Sequence, residues 1–317
     1  MSMIAWIDEL SEERIGTVAG GKGASLCRML QNGFPVPEGF ICCAEMFNTF
    51  MESNNLWDMV YQKIETIDWN SDESLVKVSE SIRRAVAEAP MPKDMEQNLI
   101  EHYRVLGSES PVAVRSSGTA EDLDDASFAG QQETYLYVIG EDDVVKYVKE
   151  CWASLYNDRA IFYRREKKFN ERDILIAVVV MRMVNSEKSG VMFTANPINK
   201  NRNECMIEAA WGLGEGIVSG IVNPDNYIVN KSDYSYVQRY IATKEVMVIR
   251  ADENGGSKEV PVGDDIKSEP VLSDKEIKDL VDVAAKAEKF YGKPEDMEWA
   301  FEKGKLYVLQ SRPITTL

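Results

Sequence analysis

The end of the chain, Asp296-Met-Glu298-Trp-Ala-Phe-Glu-Lys-Gly304-Lys-Leu-Tyr-Val-Leu-Gln310-Ser-Arg312-Pro313, alternates polar and apolar side chains and reads as a β-hairpin. In its first strand Asp296 and Glu298 share a face, opposite Met297, Trp299 and Phe301. In its second strand Gln310 and Arg312 share a face. Two registers are open, and they place these groups differently. A two-residue turn at Lys303-Gly304 pairs Glu298 with Leu309 and separates the polar sets. A three-residue turn over Lys303-Gly304-Lys305 pairs Glu298 with Gln310 and Asp296 with Arg312, and Gly304 can take the positive φ that such a loop needs. The second register gathers two carboxylates, an amide and a guanidinium. Oxygen ligands suit Mg²⁺ and a guanidinium suits phosphate, so that face fits a metal-bound triphosphate. A solvated edge hairpin is the plainer reading of the same alternation.

Two other segments carry cations in a setting that suits phosphate. In Val114-Arg115-Ser116-Ser117-Gly118-Thr119-Ala120-Glu121-Asp122 a strand runs into an arginine, three hydroxyl residues and a glycine. Backbone N–H groups, hydroxyls and a guanidinium fork can close over phosphate oxygens, although a polar turn uses the same residue types. Gly16-Thr-Val-Ala-Gly-Gly21-Lys22-Gly23 has the spacing G-x4-G-K. Gly23 stands where a P-loop needs Ser or Thr to reach the metal, and the preceding Asp8–Ile15 is charged and helix-like. The glycines permit close backbone approach, and Lys22 offers a point charge.

The elements that must position these residues change character along the chain. The first half alternates helices with a few strands. Helical patterns cover Ala24–Gln31, Ala44–Glu52, Asp72–Ala89, Lys93–Leu106 and a long Asp142–Arg165. Phe34-Pro35-Val36-Pro37 is extended, and Val112–Val114 and Glu133–Val138 read as strands with a polar loop between them. Ile174–Val184, apolar and β-branched, reads as a buried central strand. Beyond it the strands are Gly190–Phe193, Cys205–Ala210, Tyr227–Val229, Tyr236–Ile241 and Glu245–Ile249. Ser273–Tyr291 is a helix with a capping box and Gly292 as its stop. The boundary between two domains, 1–184 and 185–317, is expected near this change of character.

Length agrees, since 317 residues suffice for about two domains. Lys and Arg number 36 and Asp and Glu 53, a formal charge of −17 that disfavours a nucleic-acid polymer but leaves room for a local cationic pocket. The five cysteines, Cys27, Cys42, Cys43, Cys151 and Cys205, show no zinc-type spacing, and the cytoplasm is their natural compartment. The lone histidine, His102, reads as a solvated helix residue. No segment has the features of a signal peptide or a membrane span.

Taken together, the motifs resemble the ATP-binding domain of the phosphoenolpyruvate synthase and pyruvate phosphate dikinase family. The matching stretches are GGKGASL (20–26), GFPVPEGF (33–40), VAVRSSGTAEDLDDASFAGQQETYLYV (112–138), SLYNDRAIFYR (154–164), SGVMFTANP (189–197), AAWGLGEGIVSGIVNPDNY (209–227) and DMEWAFEKGKLYVLQSRP (296–313). The resemblance implies an α+β fold of the ATP-grasp type, with ATP between two lobes. It implies that Lys22 and Arg115 contact phosphates and that Ser116, Ser117, Gly118 and Thr119 belong to a phosphate-covering loop, 115–119. Backbone groups of the stretch through Met181, Arg182, Met183 and Val184 would pair with adenine. Glu298 and Gln310 would hold Mg²⁺, and Arg312 would bind the transferring phosphates.

The chemistry implied is transfer of the ATP β,γ-diphosphate to a histidine, release of AMP, loss of the γ-phosphate and passage of the β-phosphate to a pyruvate-like acceptor. Lys22, Arg115 and Arg312 would be the catalytic cations. The family carries that histidine on a swivelling domain in a Thr-Cys-His or Thr-Ser-His context, which His102 lacks. The phosphohistidine domain is therefore expected elsewhere, in cis if this chain is a fragment or in trans if it is a subunit. The rival readings are an ATP-grasp ligase that makes an acyl phosphate and ADP, and a non-catalytic nucleotide-binding module.

Overall fold

The computed structural model describes residues 3–119, 133–252 and 255–315. The chain forms two compact units, Met1–Arg28 with Glu38–Met183, and Met29–Pro37 with Val184–Leu317. It therefore passes from one unit to the other at three places, not only near residue 184.

Unit 1 contains β1 (Ile4–Trp6), α1 (Glu12–Val18), α2 (Gly20–Gln31, whose last turn belongs to unit 2), β2 (Gly39–Cys42), α3 (Ala44–Ser53), α4 (Leu56–Glu65), α5 (Asp72–Glu88), α6 (Lys93–Leu106), β3 (Val112–Gly118), β4 (Thr134–Val138), α7 (Glu141–Ala153), α8 (Asp158–Lys167) and β5 (Ile176–Arg182). Its five strands form an antiparallel sheet in the order β1-β2-β5-β3-β4. The apolar run expected to be a central strand is β5, buried from Ile176 to Met181. On one face Phe40, Cys42, Val112, Val114, Val178 and Val180 pack with helix residues that include Phe47, Phe50, Trp57, Leu99 and Trp152. The opposite face carries Ile41, Arg115, Ser117 and Val179 by strand alternation.

The single helix expected over Asp142–Arg165 is broken. A 3₁₀ turn, Ser154–Tyr156, follows α7, and Asn157 turns extended with ψ 157°. Its side chain then caps α8, accepting from the Ala160 N–H at 2.7 Å. Leu155 and Tyr156 are buried in the turn, so apolar spacing continues through it although the helix does not. His102 lies on α6 with its ring 5.4 Å from that of Trp6 and 5.5 Å from that of Phe40. All five cysteines are buried free thiols. Burial is the first cause that pushes Cys27 up to about 12 and Cys43 to about 11, so these thiols stay protonated.

Unit 2 contains β6 (Lys188–Phe193), β7 (Glu204–Trp211), α9 (Glu215–Val218), β8 (Asp225–Asn230), β9 (Tyr236–Tyr240), β10 (Val246–Asp252), β11 (Gly255–Pro261), α10 (Asp274–Tyr291), β12 (Glu295–Glu302) and β13 (Lys305–Pro313). Six strands form an antiparallel sheet, β13-β12-β6-β7-β8-β9, and β10 and β11 form a separate ribbon. Helix α10 has the expected capping box at Ser273 and Glu276 and the left-handed Gly292 stop. Its buried residues Ile277, Leu280, Val281, Ala284 and Ala287 pack towards β6 and β12. Asp225 and Lys244 form a fully buried ion pair at 2.6 Å. The Asp225 carboxylate also accepts from the N–H groups of Ala242 and Val271 and from the Tyr227 hydroxyl. It thereby ties the start of β8 to two loops.

The segment Met29–Pro37 covers an edge of this unit. The Val308 N–H of edge strand β13 donates to the Pro35 carbonyl at 2.9 Å, and Lys286 Nζ donates to the Gly33 carbonyl at 2.7 Å. Phe34 is buried beside Phe290, with ring centroids 6.1 Å apart. No described helix is long and apolar enough to cross a membrane.

Candidate functional site: a cationic joint and a carboxylate-bearing sheet face

In unit 1 the two candidate cations come from neighbouring elements. Lys22 lies in the first turn of α2, half-buried, with Nζ 3.4 Å from the Ser116 carbonyl oxygen. Arg115 is buried on β3. Helix α2 can approach the sheet because it starts on glycines. A Cβ on Gly20, whose φ is +67°, would stand 2.2 Å from the Ser117 carbonyl oxygen. A Cβ on Gly23 would stand 3.1 Å from Ile41 Cδ1 and 3.5 Å from Val179 Cγ2.

The hydroxyl residues lie differently from the loop expected over 115–119. Arg115 to Gly118 belong to strand β3, and only Thr119 is in a turn. Ser116 and Ser117 are fully buried. Ser116 Oγ donates to the Glu133 carbonyl, and Ser117 Oγ donates to the Ala19 carbonyl while accepting from the Gly23 N–H. Thr119 Oγ1 donates to the Leu175 carbonyl and accepts from the Leu175 N–H. These hydroxyls join elements of the fold. The physical reason is the pairing of β3 with β5, which runs on to Gly118 opposite Ile176 and draws the serines into the sheet. The remainder of the expected loop, 120–132, lies outside the described residues.

Met181 ends the buried part of β5, and Arg182 follows it. The Arg182 N–H donates to the Glu38 carbonyl and the Met183 N–H to the Pro111 carbonyl. Val184 begins unit 2, where it packs with Ala300, Tyr307 and Leu309, and its carbonyl accepts from the Ser186 N–H.

In unit 2 the hairpin combines both registers that the sequence leaves open. Glu302 pairs with Lys305, so the turn is the two-residue Lys303-Gly304, with φ 51° and 72°. Trp299 then pairs with Val308, but Glu298 pairs with Gln310 and Asp296 with Arg312. Leu309 is the extra residue of a β-bulge. It packs on Val184, Ala300 and Tyr307. The turn is thus the short one, and the polar pairs are those of the longer one. Arg312 donates to Asp296, its Nε and Nη2 each 2.8 Å from Oδ2.

The polar face continues across the sheet. Glu298 pairs with Val191, Val191 with Glu208, and Glu208 with Asn226. Directly opposed residues share a face, so Glu208 and Asn226 join Glu298 and Gln310. Burial first, and then the Asp296 charge, hold the Glu208 carboxyl above its ordinary value, against a hydrogen bond from Asn226. Sequence reasoning missed this pair. The available signal was one carboxylate in the otherwise apolar Cys205–Ala210 run.

Glu298 and Gln310, paired across the hairpin, both offer side-chain oxygen. No group of three or more His, Cys, Asp or Glu among the described residues forms a metal cage. The oxygens of Glu298 and Gln310 suit Mg²⁺, which takes one or two carboxylates together with substrate phosphates.

The chain matches the family model described as the pyruvate phosphate dikinase AMP/ATP-binding domain over residues 16–317. It is 51% identical to a probable phosphoenolpyruvate synthase of Methanocaldococcus jannaschii, over 100% of this chain and 27% of that protein. Identity is 47% to a probable phosphoenolpyruvate synthase of Archaeoglobus fulgidus, over 99% of this chain and 42% of that protein. It is 44% to a phosphoenolpyruvate synthase of Pyrococcus furiosus, over 99% and 44% respectively. The chain spans less than half the length of these relatives, and the match lies in their N-terminal part. It belongs to the family of pyruvate phosphate dikinase AMP/ATP-binding domains.

Proposed function

We propose that the chain is the ATP-binding part of a dikinase-type phosphotransferase with an ATP-grasp arrangement, its lobes being residues 1–184 and 185–317. The observation that carries this reading is the hairpin register. The bulge at Leu309 puts Glu298 beside Gln310 and Asp296 beside Arg312 on one sheet face. Those residue types suit the metal and the phosphates of one nucleotide.

In this reading Lys22 and Arg115 bind and orient the phosphates from unit 1, and Arg312 neutralises the charge that develops on the transferring group. Glu298 and Gln310 hold the Mg²⁺, which supplies Lewis-acid stabilisation of the phosphate oxygens. Met181, Arg182, Met183 and Val184 line the adenine. A histidine nitrogen of another domain or chain attacks the β-phosphorus. The bond from that phosphorus to the α,β-bridging oxygen breaks, and AMP leaves with the electron pair. The γ-phosphate then departs to water or phosphate, and the β-phosphate passes to a pyruvate-like acceptor. This chain's contribution is positioning and electrostatics, which is most of what phosphoryl transfer needs. No base on this chain is required, because a neutral imidazole is itself the nucleophile. The buried free thiols fit a cytoplasmic setting.

Calorimetry of ATP binding tests the metal face. ATP should bind far more tightly with Mg²⁺ than with EDTA, and Glu298→Gln should remove most of that difference. Equal affinity with and without Mg²⁺ would contradict the assignment.

A further inference from the structure

We propose that Ser117 is a positioning residue, the joint that sets Lys22 relative to Arg115, and not a ligand of the nucleotide. The inference rests on the phosphate role proposed above for those two cations. Ser117 lies two residues beyond Arg115 on β3, on the same face of the sheet, and is fully buried. A side chain with no exposed surface offers no room for a phosphate oxygen.

The hydroxyl is used at both ends. It donates to the Ala19 carbonyl at 2.9 Å and accepts from the Gly23 N–H at 3.0 Å. Those groups bracket Lys22. Gly20 opens helix α2 with a non-helical φ of +67° and has no side-chain oxygen to satisfy the N–H groups of the first turn. Ser117 supplies that cap from a strand 94 residues away. Backbone contact fixes the same joint, since a Cβ on Gly20 would stand 2.2 Å from the Ser117 carbonyl oxygen. The Ser117 hydroxyl and the close backbone approach at Gly20 therefore hold the residues around Lys22 to the strand that carries Arg115, alongside the 3.4 Å contact of Lys22 Nζ with the Ser116 carbonyl. Ser116, its neighbour on the strand, points to the other face of the sheet, where its hydroxyl donates to the Glu133 carbonyl. The sequence Gly20-Gly-Lys-Gly23 and the second serine of Arg115-Ser-Ser117 are the two halves of one device.

A double-mutant cycle on the full chain tests this. MgATP affinity is measured by calorimetry for the native chain, Ser117→Ala, Lys22→Met and the double variant, with thermal melting alongside. Loss of the cap should weaken MgATP binding roughly tenfold. In the Lys22→Met background the same change should cost less than about twofold, because Ser117 acts through Lys22. AMP affinity should be nearly unchanged by Ser117→Ala, an outcome that a collapsed fold would not give. Ser117→Cys, which keeps a weak donor and acceptor, should recover part of the loss. If Ser117→Ala fails to fold, Ser117→Cys takes its place in the cycle. Effects that multiply in the double variant overturn the positioning role and leave the phosphate role of Lys22 standing. Lys22→Met that binds MgATP as tightly as the native chain overturns both.

Discussion

Arg312→Ala separates stability, affinity and rate in a way the geometry fixes in advance. The guanidinium side chain is 61% exposed and its partner Asp296 13%. Asp296 is largely covered, but with the guanidinium open to solvent the pair contributes about 1 kcal/mol or less to folding, and the melting temperature should move little. Binding of ground-state MgATP loses one charge-assisted contact, about 1.5–3 kcal/mol, or roughly ten- to hundredfold in affinity. If Arg312 faces the charge that develops on the transferring group, the chemical step loses about 3–4 kcal/mol more, roughly a hundred- to a thousandfold. The assay is single-turnover AMP formation at saturating MgATP with the phosphoacceptor present, alongside calorimetric affinity and thermal melting. Native turnover by the variant would refute the assignment. So would a rate at saturation that is unchanged despite weaker binding, since Arg312 would then only bind.

Other consequences concern the scaffold. Lys244→Met leaves Asp225 buried with its charge uncompensated and should lower stability by about 3–5 kcal/mol in urea unfolding; a loss under about 1 kcal/mol would contradict the buried-pair reading. Gly20→Ala places a side chain at φ +67° against the Ser117 carbonyl and should destabilise the fold and weaken MgATP binding together, read by melting and calorimetry. Glu276 is partly buried, which raises its carboxyl, but the bond from Lys188 and the Ser273 cap outweigh burial and hold it below the ordinary 4.5. The fold therefore favours the ionised form. The stabilisation is complete above 4.5 and is lost as pH falls through the lowered value, so the stability gap between the native chain and Glu276→Gln should be flat from pH 6 to 8 and close in acid. A gap that widens in acid would contradict this.

Local chemistry made much of the scaffold legible. The capping box at Ser273 and Glu276 and the left-handed Gly292 are read from three residue types, and Lys93–Leu106 from its apolar spacing. The hairpin shows where this stops. Lys303-Gly304 permits either turn, and the residue that joins the short turn to the polar pairs is Leu309, an ordinary apolar side chain. Its bulge is favoured by packing on Val184, Ala300 and Tyr307, a tertiary cause with no local signature. The break after α7 was hidden for a similar reason, since buried Leu155 and Tyr156 continue the helical spacing. Ser116 and Ser117 looked like loop residues because hydroxyls suit turns, but strand pairing and buried hydrogen bonds absorb them. Glu208 and Asn226 reach the polar face only through the order of four strands, which spacing along the chain does not encode. The packing of Met29–Pro37 with unit 2 is likewise a long-range choice, made by Phe34 beside Phe290 and by Val308 with Pro35.

The proposed diphosphate transfer with release of AMP leaves its mark on both nucleotide and protein. It is tested most directly by incubating the chain with Mg²⁺, β-labelled ATP and an extract containing its phosphoacceptor, then analysing nucleotide and protein together. Diphosphate transfer gives AMP as the nucleotide product and β-label on protein in an acid-labile, base-stable bond, both lost in Arg312→Ala. ADP as the product, with no β-label on protein, would contradict it.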